Sequence, residues 1–202
     1  MMRLSPRVGC VVLAAGEGSR FDAKRAKLLL PLDGVALVQR AVDNAARSFA
    51  ASCTVVLGAH AEAILLKIDP RRCAVVRNPK WKEGLSGSIR VGLGMHEDDD
   101  ACILTVADQP FVTADDLNQL IDCYAGNRNA IVALRAGRIW GSPVLFPRSD
   151  FSKLTDLKGD EGAKRHAASQ KERLQFVDAV HPNAFADIDT HQDYERIRRA
   201  SR

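Results

Sequence analysis

Short continuous runs of apolar and β-branched residues recur along this chain between segments with helical spacing, and this feature constrains the fold most strongly. Because the runs do not alternate with polar residues, they predict strands covered on both faces, as in a parallel sheet. The predicted strands are 8–15, 53–58, 73–76, 101–108 and 130–134. The predicted helices are 34–49, a segment that follows Gly84, and 113–124, which Thr113 could cap. This alternation predicts a doubly wound α/β fold with right-handed crossovers.

The pattern loosens after residue 135. We predict a strand over 140–146, a short helix over 160–168, a strand over 174–177 and a final helix over 191–200. Additions of this kind usually decorate the carboxyl edge of an open α/β sheet, where such folds bind their ligands. No linker, repeat or change of composition divides the chain, so we expect a single domain over 1–202.

Composition excludes several classes of protein. Of the 202 residues, 46% are hydrophobic and 27% are charged, which is typical of a soluble globular protein. No apolar run approaches the roughly 20 residues that cross a bilayer, so no membrane partner is expected, and the run near the N-terminus is interpreted as a strand rather than a signal peptide. The net charge of +4 suits a small anionic substrate and is too dispersed to indicate nucleic-acid binding. Five scattered cysteines without a CxxC pair favour a reducing cytoplasm and argue against zinc or disulfides.

A glycine-containing loop, LAAGEGSRF (13–21), follows the first predicted strand. A dinucleotide fingerprint would need a third glycine where Phe21 stands, and the GKS or GKT of a Walker loop is absent. The glycines would still let backbone N–H groups approach an anion, and Arg20 offers a forked donor to phosphate oxygens. The alternative interpretation is a plain turn between a strand and a helix.

Carboxylates occur at two positions where metal chemistry is plausible. Asp108 follows the apolar strand CILTVA, and magnesium prefers carboxylate oxygens together with substrate phosphates, although a strand-ending turn would also explain Asp108. Asp187 and Asp189 would share one face of an extended segment and could complete a metal shell. The alternative is that Asp189 or Thr190 caps the last helix. The acidic run 97–100 is interpreted as a solvated loop.

The segment NPKWKEGLSGSIRVGL (78–93) combines glycines and serines at the start of a helix. Its free N–H groups and small residues would admit a flat base, and Ser86 or Ser88 could reach a base edge or a ribose. Trp81 could stack on a base, although a lone tryptophan is more often a core residue. No Ser–His–Asp or Cys–His grouping is evident, so nucleophilic catalysis by the protein is not expected.

Taken together and in order, these segments resemble the MobA-like nucleotidyltransferase family, and within it the molybdenum cofactor cytidylyltransferase (MocA-like) branch. The resemblance spans nearly the whole chain. It depends on LAAGEGSRF (13–21), KLLLPLDG (27–34), 78–93, VADQPFV (106–112), GSPVLF (141–146), GDEGA (159–163) and DIDT (187–190). It implies a three-layer αβα, Rossmann-like nucleotidyltransferase fold with a mostly parallel twisted sheet.

The resemblance also implies a role for each matching position. The loop, with Leu13, Ala14, Ala15, Gly16, Gly18 and Arg20, would wrap the triphosphate, and Lys27 would bind phosphate as the catalytic lysine. The segment FDAKRAK is longer than the usual one, with Asp22 where glycine is common, so Lys24 is the alternative lysine. Ser88, with Ser86 nearby, would hold the base. Asp108 and Asp189 would bind Mg2+.

The implied reaction is attack by a phosphate of the acceptor on the α-phosphorus of CTP, with release of pyrophosphate. Ala15 favours CTP, because guanylyltransferase relatives tend to have LAGG there. Ser142 replaces the usual histidine of a G-H-P motif, which weakens the assignment of molybdopterin as the acceptor. The alternatives are guanylyl transfer, transfer to a sugar or alditol phosphate, and a non-catalytic chaperone that carries cofactor to a molybdenum hydroxylase partner.

Overall fold

The computed structural model describes residues 5–18, 21 and 26–200. The strands are β1 (Val8–Ala14), β2 (Pro31–Leu32), β3 (Val35–Ala36), β4 (Ser52–Leu57), β5 (Ala74–Arg77), β6 (Ala101–Val106), β7 (Ile131–Ala136), β8 (Ile139–Pro147) and β9 (Leu174–Asp178). The α-helices are α1 (Leu37–Arg47), α2 (Ala61–Leu65), α3 (Leu85–Leu93), α4 (Ala114–Gly126), α5 (Phe151–Thr155), α6 (Ala163–Ser169) and α7 (His191–Ala200). Every strand and helix expected from the sequence is present, with ends shifted by a few residues.

The described residues form a seven-stranded sheet in the order β5-β4-β1-β6-β8-β7-β9, and β2 and β3 form a separate two-stranded hairpin. The pairs β5–β4, β4–β1, β1–β6 and β7–β9 are parallel, and β8 is antiparallel to both of its neighbours. The carboxyl ends of β4, β1 and β6 therefore meet at one edge of the sheet. This mostly parallel α/β architecture is the predicted fold.

Helices cover both faces of the sheet, which explains the continuous apolar runs. Alternate residues of β1 point to opposite sides, so Val12 packs on one core cluster and Val11 on the other. One cluster joins the sheet to α1 and α4 through Val38, Val42, Leu117 and Leu120. The other joins it to α3, α5 and α6 through Ile89, Leu93, Phe151, Leu154 and Ala167.

The additions after residue 135 were expected at the carboxyl edge of the sheet, and this holds for Asp160 and Asp189 but is wrong for β8. The strand β8 lies inside the sheet, where Val144 pairs with Leu104 of β6 on one side and with Ala133 of β7 on the other. Its residues 144–147 are buried on both faces, so it reads from sequence like a parallel strand although it runs antiparallel. Only β9 stands at the outer edge of this part of the sheet.

The acidic run 97–100 is only partly a solvated loop. Glu97, Asp98 and Asp100 are exposed, but Asp99 is buried and accepts hydrogen bonds from Arg7 and His96. Because Arg7 and His96 bind the carboxylate of Asp99, its burial is tolerated.

The predicted cap of α4 is confirmed. Thr113 and Asp116 form a reciprocal capping box, and Asp116 also accepts a hydrogen bond from the backbone of Val180 at 2.8 Å. This contact fastens the C-terminal segment to the same end of the sheet. No helix in the described ranges has the length and apolar character needed to cross a membrane.

Candidate active site

A cavity of about 540 Å³ opens at the carboxyl edge of the parallel strands. Its walls come from the ends of β1 and β6, the start of α3, and loops that are distant in sequence. The lining residues are Leu13, Ala14, Ala15, Gly16, Glu17, Gly18, Lys27, Leu28, Trp81, Lys82, Gly84, Leu85, Ser88, Val106, Ala107, Asp108, Asp160 and Asp189. This is the place where open α/β sheets bind ligands.

The glycine loop forms one wall of the cavity and packs on the stem of a lysine. Gly18 has a φ of 67°, a conformation that favours glycine, and a Cβ there would lie 3.2 Å from Cγ of Lys27. The backbone oxygen of Ala15 accepts a hydrogen bond from Ala59 at 3.0 Å, which ties the loop to the end of β4. The loop therefore leaves room for a ligand while it supports Lys27.

Lys27 is the centre of the site. Its Nζ donates to Oδ2 of Asp108 at 2.7 Å and to Oδ1 of Asp189 at 3.0 Å. The side chain of Lys27 is 12% exposed, against 23% for Asp108 and 32% for Asp189. Burial lowers the pKa of Lys27, but the charges and hydrogen bonds of the two carboxylates outweigh burial and raise the pKa above its ordinary value. Lys27 is therefore a fixed cation at neutral pH.

Two different segments deliver the carboxylates. Asp108 follows the end of β6, and the backbone N–H of Ile188 donates to the carbonyl oxygen of Asp108 at 3.4 Å. Ile188 is fully buried with Leu37 and Ile197 in a third apolar cluster, which holds the 187–189 segment against α1 and α7. Burial of the Ile188 side chain contributes about 2 kcal/mol to stability and anchors the segment that carries Asp189.

Residues in and after the 187–189 segment also show which residue caps α7. The hydroxyl of Thr190 accepts from the backbone of Asp193, and the carboxylate of Asp193 accepts from the backbone of Thr190. Thr190 is therefore the cap, whereas the carboxylate of Asp189 points to Lys27.

Asp187 lies close to Asp108 and Asp189, but none of the described hydrogen bonds joins it to Lys27. Desolvation raises the pKa of Asp187, a hydrogen bond from Gln109 opposes that rise, and repulsion from Asp108 and Asp189 adds to it. Gln109 thus links the segment after β6 to the 187–189 segment from a second side.

The other wall of the cavity is the start of α3. Gly84 has a φ of 112°, and a Cβ there would lie 2.2 Å from the carbonyl carbon of Gly159. The backbone N–H of Ser86 donates to the oxygen of Gly159 at 3.0 Å, so the 159–160 loop is fastened to α3 and Asp160 faces the cavity. Ser88 lines the cavity, and its hydroxyl accepts from Nδ2 of Asn78 at 3.0 Å.

The structure brings together most of the residues that the sequence singled out. Those that line the cavity are Leu13, Ala14, Ala15, Gly16, Gly18, Lys27, Ser88, Asp108 and Asp189. Ser86 is buried and does not line it, and its backbone N–H donates to the oxygen of Gly159. Arg20 and Lys24 lie outside the described residues.

Several lining residues were missed, namely Glu17, Leu28, Lys82, Leu85, Val106, Ala107 and Asp160. Asp160 lies in the GDEGA segment, which carried part of the family resemblance and could have drawn attention to it. Its position in the cavity wall depends on the tertiary contact between the 159–160 loop and Gly84. Trp81, interpreted from the sequence as a core residue or a stacking surface, packs on a core cluster and also lines the cavity, and base stacking by Trp81 stays a prediction.

The donor set of the site fits a hard divalent cation. Oxygens from Asp108 and Asp189 converge on one positively charged nitrogen, so both can reach a single cation. No group of three histidine, cysteine, aspartate or glutamate side chains converges elsewhere in the described part of the chain, or here. Two carboxylates with further positions left to phosphates and water are typical of Mg2+ or Mn2+ bound with a nucleotide.

A parallel α/β sheet whose carboxyl edge combines a glycine loop, a fixed lysine and paired carboxylates defines a nucleotidyltransferase. Comparison with known proteins identifies the particular kind. Residues 10–174 match the MobA-like NTP transferase domain, and the chain belongs to this family.

Similar proteins carry diverse names. The purine catabolism protein PucB of Bacillus subtilis is 29% identical over 207 aligned positions, covering 97% of this chain and 98% of PucB. Nicotine blue oxidoreductase of Paenarthrobacter nicotinovorans is 24% identical, covering 95% of this chain and 97% of that protein. A crystal structure of Rv0371c from Mycobacterium tuberculosis in complex with manganese has a TM-score of 0.79 and 27% identity, covering 96% of this chain and 99% of that one.

Proposed function

We propose that this protein is a magnesium-dependent cytidylyltransferase that transfers CMP from CTP to a phosphate of molybdopterin or of a similar anionic acceptor, releasing pyrophosphate. The observation that carries the proposal is the position of Lys27, which holds Asp108 and Asp189 together at the edge of a cavity walled by the glycine loop. This arrangement supplies cationic and metal-binding groups where a triphosphate would lie, and among the described lining residues no serine or cysteine is paired with a histidine base.

The chemistry needs little more than these groups. A phosphate oxygen of the acceptor attacks the α-phosphorus of CTP, a new P–O–P link forms, and the bond between the α-phosphorus and the bridging oxygen breaks as pyrophosphate leaves. The acceptor brings its own nucleophile, so the protein positions the reactants and neutralises charge. A divalent metal would supply charge neutralisation on the phosphates.

The protein's own residues have distinct roles in this proposal. Asp108 and Asp189 would hold the metal, and Lys27 would turn from the carboxylates to the phosphates when the metal enters. The backbone N–H groups of Gly16 and Gly18 would orient the triphosphate. Arg20 as a phosphate ligand, and Lys24 as the alternative catalytic lysine, remain predictions.

The nucleoside end of CTP would lie on the other side of the cavity. Trp81, Gly84 and Ser88 line that side, which lies toward β4 and β5. Ala15 supports a preference for cytidine, since related guanylyltransferases tend to have glycine at this position. Guanylyl transfer, or transfer to a sugar or alditol phosphate, is the alternative within the same class.

Two other functions can be separated by experiment. A non-catalytic chaperone for a molybdenum hydroxylase would bind cofactor without releasing pyrophosphate, and the intact Lys27–Asp108–Asp189 group argues against it. The name of the relative from Paenarthrobacter nicotinovorans raises the question of redox chemistry, which the missing third glycine of the 13–21 loop disfavours.

The test combines binding and turnover. We expect calorimetric titration with CTP, GTP and ATP in the presence of magnesium to show the tightest binding for CTP, and pyrophosphate release to require both CTP and molybdopterin. Equal affinity for the three nucleotides contradicts the cytidine assignment. Pyrophosphate release only with a sugar or alditol phosphate contradicts the acceptor, and NADH consumption without pyrophosphate release contradicts nucleotidyl transfer.

A further inference from the structure

Asp160 lines the nucleotide cavity, but it has no part in the chemistry proposed above. Asp108 and Asp189 line the same cavity, and both bind Lys27. Asp160 is exposed, and within the ranges that the structure describes its carboxylate forms neither a hydrogen bond nor an ion pair. A cavity proposed to bind a triphosphate thus contains one carboxylate whose charge no described side chain compensates.

A tight turn over residues 158–161 fixes the position of Asp160. The backbone N–H of Glu161 donates to the carbonyl oxygen of Lys158 at 3.1 Å, and the backbone N–H of Lys158 donates to the carboxylate of Glu161 at 3.1 Å. A Cβ built on Gly84 would lie 2.7 Å from the backbone nitrogen of Asp160. The turn is therefore closed on itself and packs directly against the start of α3.

This packing places Asp160 on the same wall of the cavity as Leu85 and Ser88 of α3. Lys27 and its two carboxylate partners belong to the other wall, where the triphosphate and a metal would lie. An uncompensated carboxylate repels a phosphate at short range, whereas it is a strong acceptor for an uncharged N–H or O–H donor. We therefore expect Asp160 to face the nucleoside and to contact one of its donor groups.

Ser88 supplies a donor on the same wall. Its hydroxyl accepts from Nδ2 of Asn78 at 3.0 Å, and no hydrogen bond of the described residues uses the proton of that hydroxyl. Because a hydroxyl has one proton to donate as well as lone pairs that accept, Ser88 can donate into the cavity. The α3 wall thus offers an acceptor at Asp160 and a donor at Ser88.

The polar edge of cytosine matches this pair of groups. Its N4 amino group donates, and the neighbouring ring atom N3 and the oxygen O2 accept. Uracil has the reverse arrangement, because its N3–H donates and its O4 accepts, so that O4 would face a carboxylate with no proton between them. Adenine has the same arrangement as cytosine, so the pair separates cytosine from uracil and not from adenine.

We propose that Asp160 is a specificity-determining residue of the nucleotide site, whose carboxylate accepts a hydrogen bond from the exocyclic amino group of cytosine while Ser88 donates to the ring. The proposal rests on the proposed function, in which CTP is the nucleotide. It assigns the selection of cytosine over uracil to the 158–161 turn, whereas Ala15 belongs to the loop that would wrap the triphosphate. Asp160 acts on the choice of nucleotide and takes no part in making or breaking bonds.

Calorimetric titration with CTP and with UTP, both in the presence of magnesium, tests the proposal through a ratio of affinities. We expect the wild type to bind CTP at least about tenfold more tightly than UTP. In Asp160→Asn the amide can turn its oxygen toward an amino group or its nitrogen toward a carbonyl, so the two affinities should agree within about threefold. CTP should bind this variant less tightly than the wild type, and UTP more tightly. A merely structural role of Asp160, or a change of net charge, would move both affinities in the same direction.

Asp156→Asn is the matched control, because it removes the same charge from an exposed aspartate that does not line the cavity. It should leave the ratio of the CTP and UTP affinities within about twofold of the wild-type ratio. Urea unfolding should show the same stability for Asp160→Asn and the wild type. If Asp160→Asn changes both affinities by the same factor, or leaves their ratio at the wild-type value, Asp160 does not recognise the base.

The outcomes separate this inference from the proposed function. Pyrophosphate release from CTP, with a preference over UTP that Asp160→Asn leaves intact, retains nucleotidyl transfer and overturns the role of Asp160. A preference that is lost in Asp160→Asn, without pyrophosphate release by the wild type in the presence of molybdopterin, supports the role of Asp160 and contradicts the proposed transfer. Equal wild-type affinity for CTP and UTP, or no affinity for either, overturns the recognition of cytosine by Asp160.

Discussion

Two kinds of carboxylate occur in this molecule, and they differ in how their charge is compensated. Asp108 and Asp189, at the carboxyl edge, share one partially buried cation, Lys27, and border an open cavity. Asp99 and Asp150, elsewhere, are almost completely buried, and each has its own arginine and histidine. In the proposed function the first pair would exchange the lysine for a metal ion, whereas neither Asp99 nor Asp150 lines the cavity at the carboxyl edge.

Asp150 shows what a structural carboxylate looks like. It accepts hydrogen bonds from His166 at 2.7 Å and from Arg173 at 2.5 Å. Burial raises the pKa of Asp150, but the hydrogen bonds from Arg173 and His166 and their charges outweigh it and lower the pKa below the ordinary value. These contacts fasten α6 and the residue before β9 to the start of α5.

This comparison shows that burial and ion pairing alone do not distinguish a candidate functional carboxylate from a structural one. Asp150 has two partners of its own, and so does Asp99, yet neither borders the cavity. What distinguishes Asp108 and Asp189 is that both bind the same lysine, Lys27, at the edge of a cavity. Four substitutions, three of them with a control, test this distinction and are described in order of decreasing expected effect.

The largest effect is expected for Asp108→Asn. Loss of a metal-binding carboxylate should reduce kcat by about 10³-fold or more, equivalent to about 4 kcal/mol of transition-state stabilisation. The free energy of unfolding should change by less than about 1 kcal/mol, because Lys27 keeps Asp189 as a partner and the site is partly solvated. Steady-state pyrophosphate release and urea unfolding measure the two quantities. Full activity in this variant contradicts the metal assignment.

Asp150→Asn should have the opposite effect, a loss of stability without a loss of activity. Removing one member of a buried ion pair should lower the free energy of unfolding by about 3 kcal/mol, while kcat of the folded protein is retained. The native pKa of Asp150 lies below its unfolded value of about 3.9, so its stabilising contribution is complete above that pH and is lost as pH falls through the native pKa. The Tm difference between wild type and variant, measured from pH 7 downward, should therefore shrink in acid.

Asp69→Asn is the control for that pH dependence. Asp69 is paired with Arg71 at the surface, and hydrogen bonds from Arg71 lower the pKa of Asp69 to about 2, but Arg71 is almost fully exposed. Solvent screening should leave the Tm of this variant close to that of the wild type. An equal loss of Tm in Asp69→Asn and Asp150→Asn would mean that the Asp150 cluster contributes no more than a surface pair.

The sequence predicted the sheet and its helices because each strand is covered on both faces and gives a continuous apolar run. It could not place β8 between β6 and β7, since a buried antiparallel strand and a buried parallel strand have the same composition. It also could not reveal that Asp99 is buried. That depends on Arg7 and His96, and Arg7 lies more than 90 residues away along the chain.

The site was predictable to the extent that its residues follow strand ends. Asp108 directly follows β6 and the glycine loop directly follows β1, so topology brings them together. Asp189 was assigned on the resemblance and on a two-residue spacing, but its contact with Lys27 requires the burial of Ile188. Ser86 and Ser88 could not be told apart from sequence, because their roles depend on the packing of the Gly159 loop against α3.

Lys27→Met tests whether the lysine and a metal compete for the same carboxylates. In the absence of nucleotide, the ammonium group occupies the oxygens that a divalent cation would use, so its removal should tighten Mn2+ binding by at least about tenfold, or about 1.4 kcal/mol. Electron paramagnetic resonance of free Mn2+ measures this affinity directly. The raised pKa of Lys27 means that the wild-type affinity should not change between pH 6 and pH 9 through this group.

Lys82→Met is the control for the lysine substitution, because Lys82 also lines the cavity but lies over the ring of Trp81 rather than between carboxylates. Its Mn2+ affinity should match the wild type. Equal tightening of Mn2+ binding in Lys82→Met and Lys27→Met would show that the net charge of the cavity, and not occupation of the carboxylates, governs metal binding.

The smallest effect is expected for Ser88→Ala, compared with Ser86→Ala. Both serines are buried in the same helix, but only Ser88 lines the cavity, where its hydroxyl accepts from Asn78 and could donate to a base or ribose. Ser88→Ala should raise the Kd for CTP about three- to fivefold, which is the loss of one hydrogen bond worth under about 1 kcal/mol. Ser86→Ala should leave the Kd for CTP unchanged in the same calorimetric titration. Equal effects would mean that α3 acts on the nucleotide through its packing alone, so that the carboxylates and lysine at the opposite wall carry all of the direct recognition.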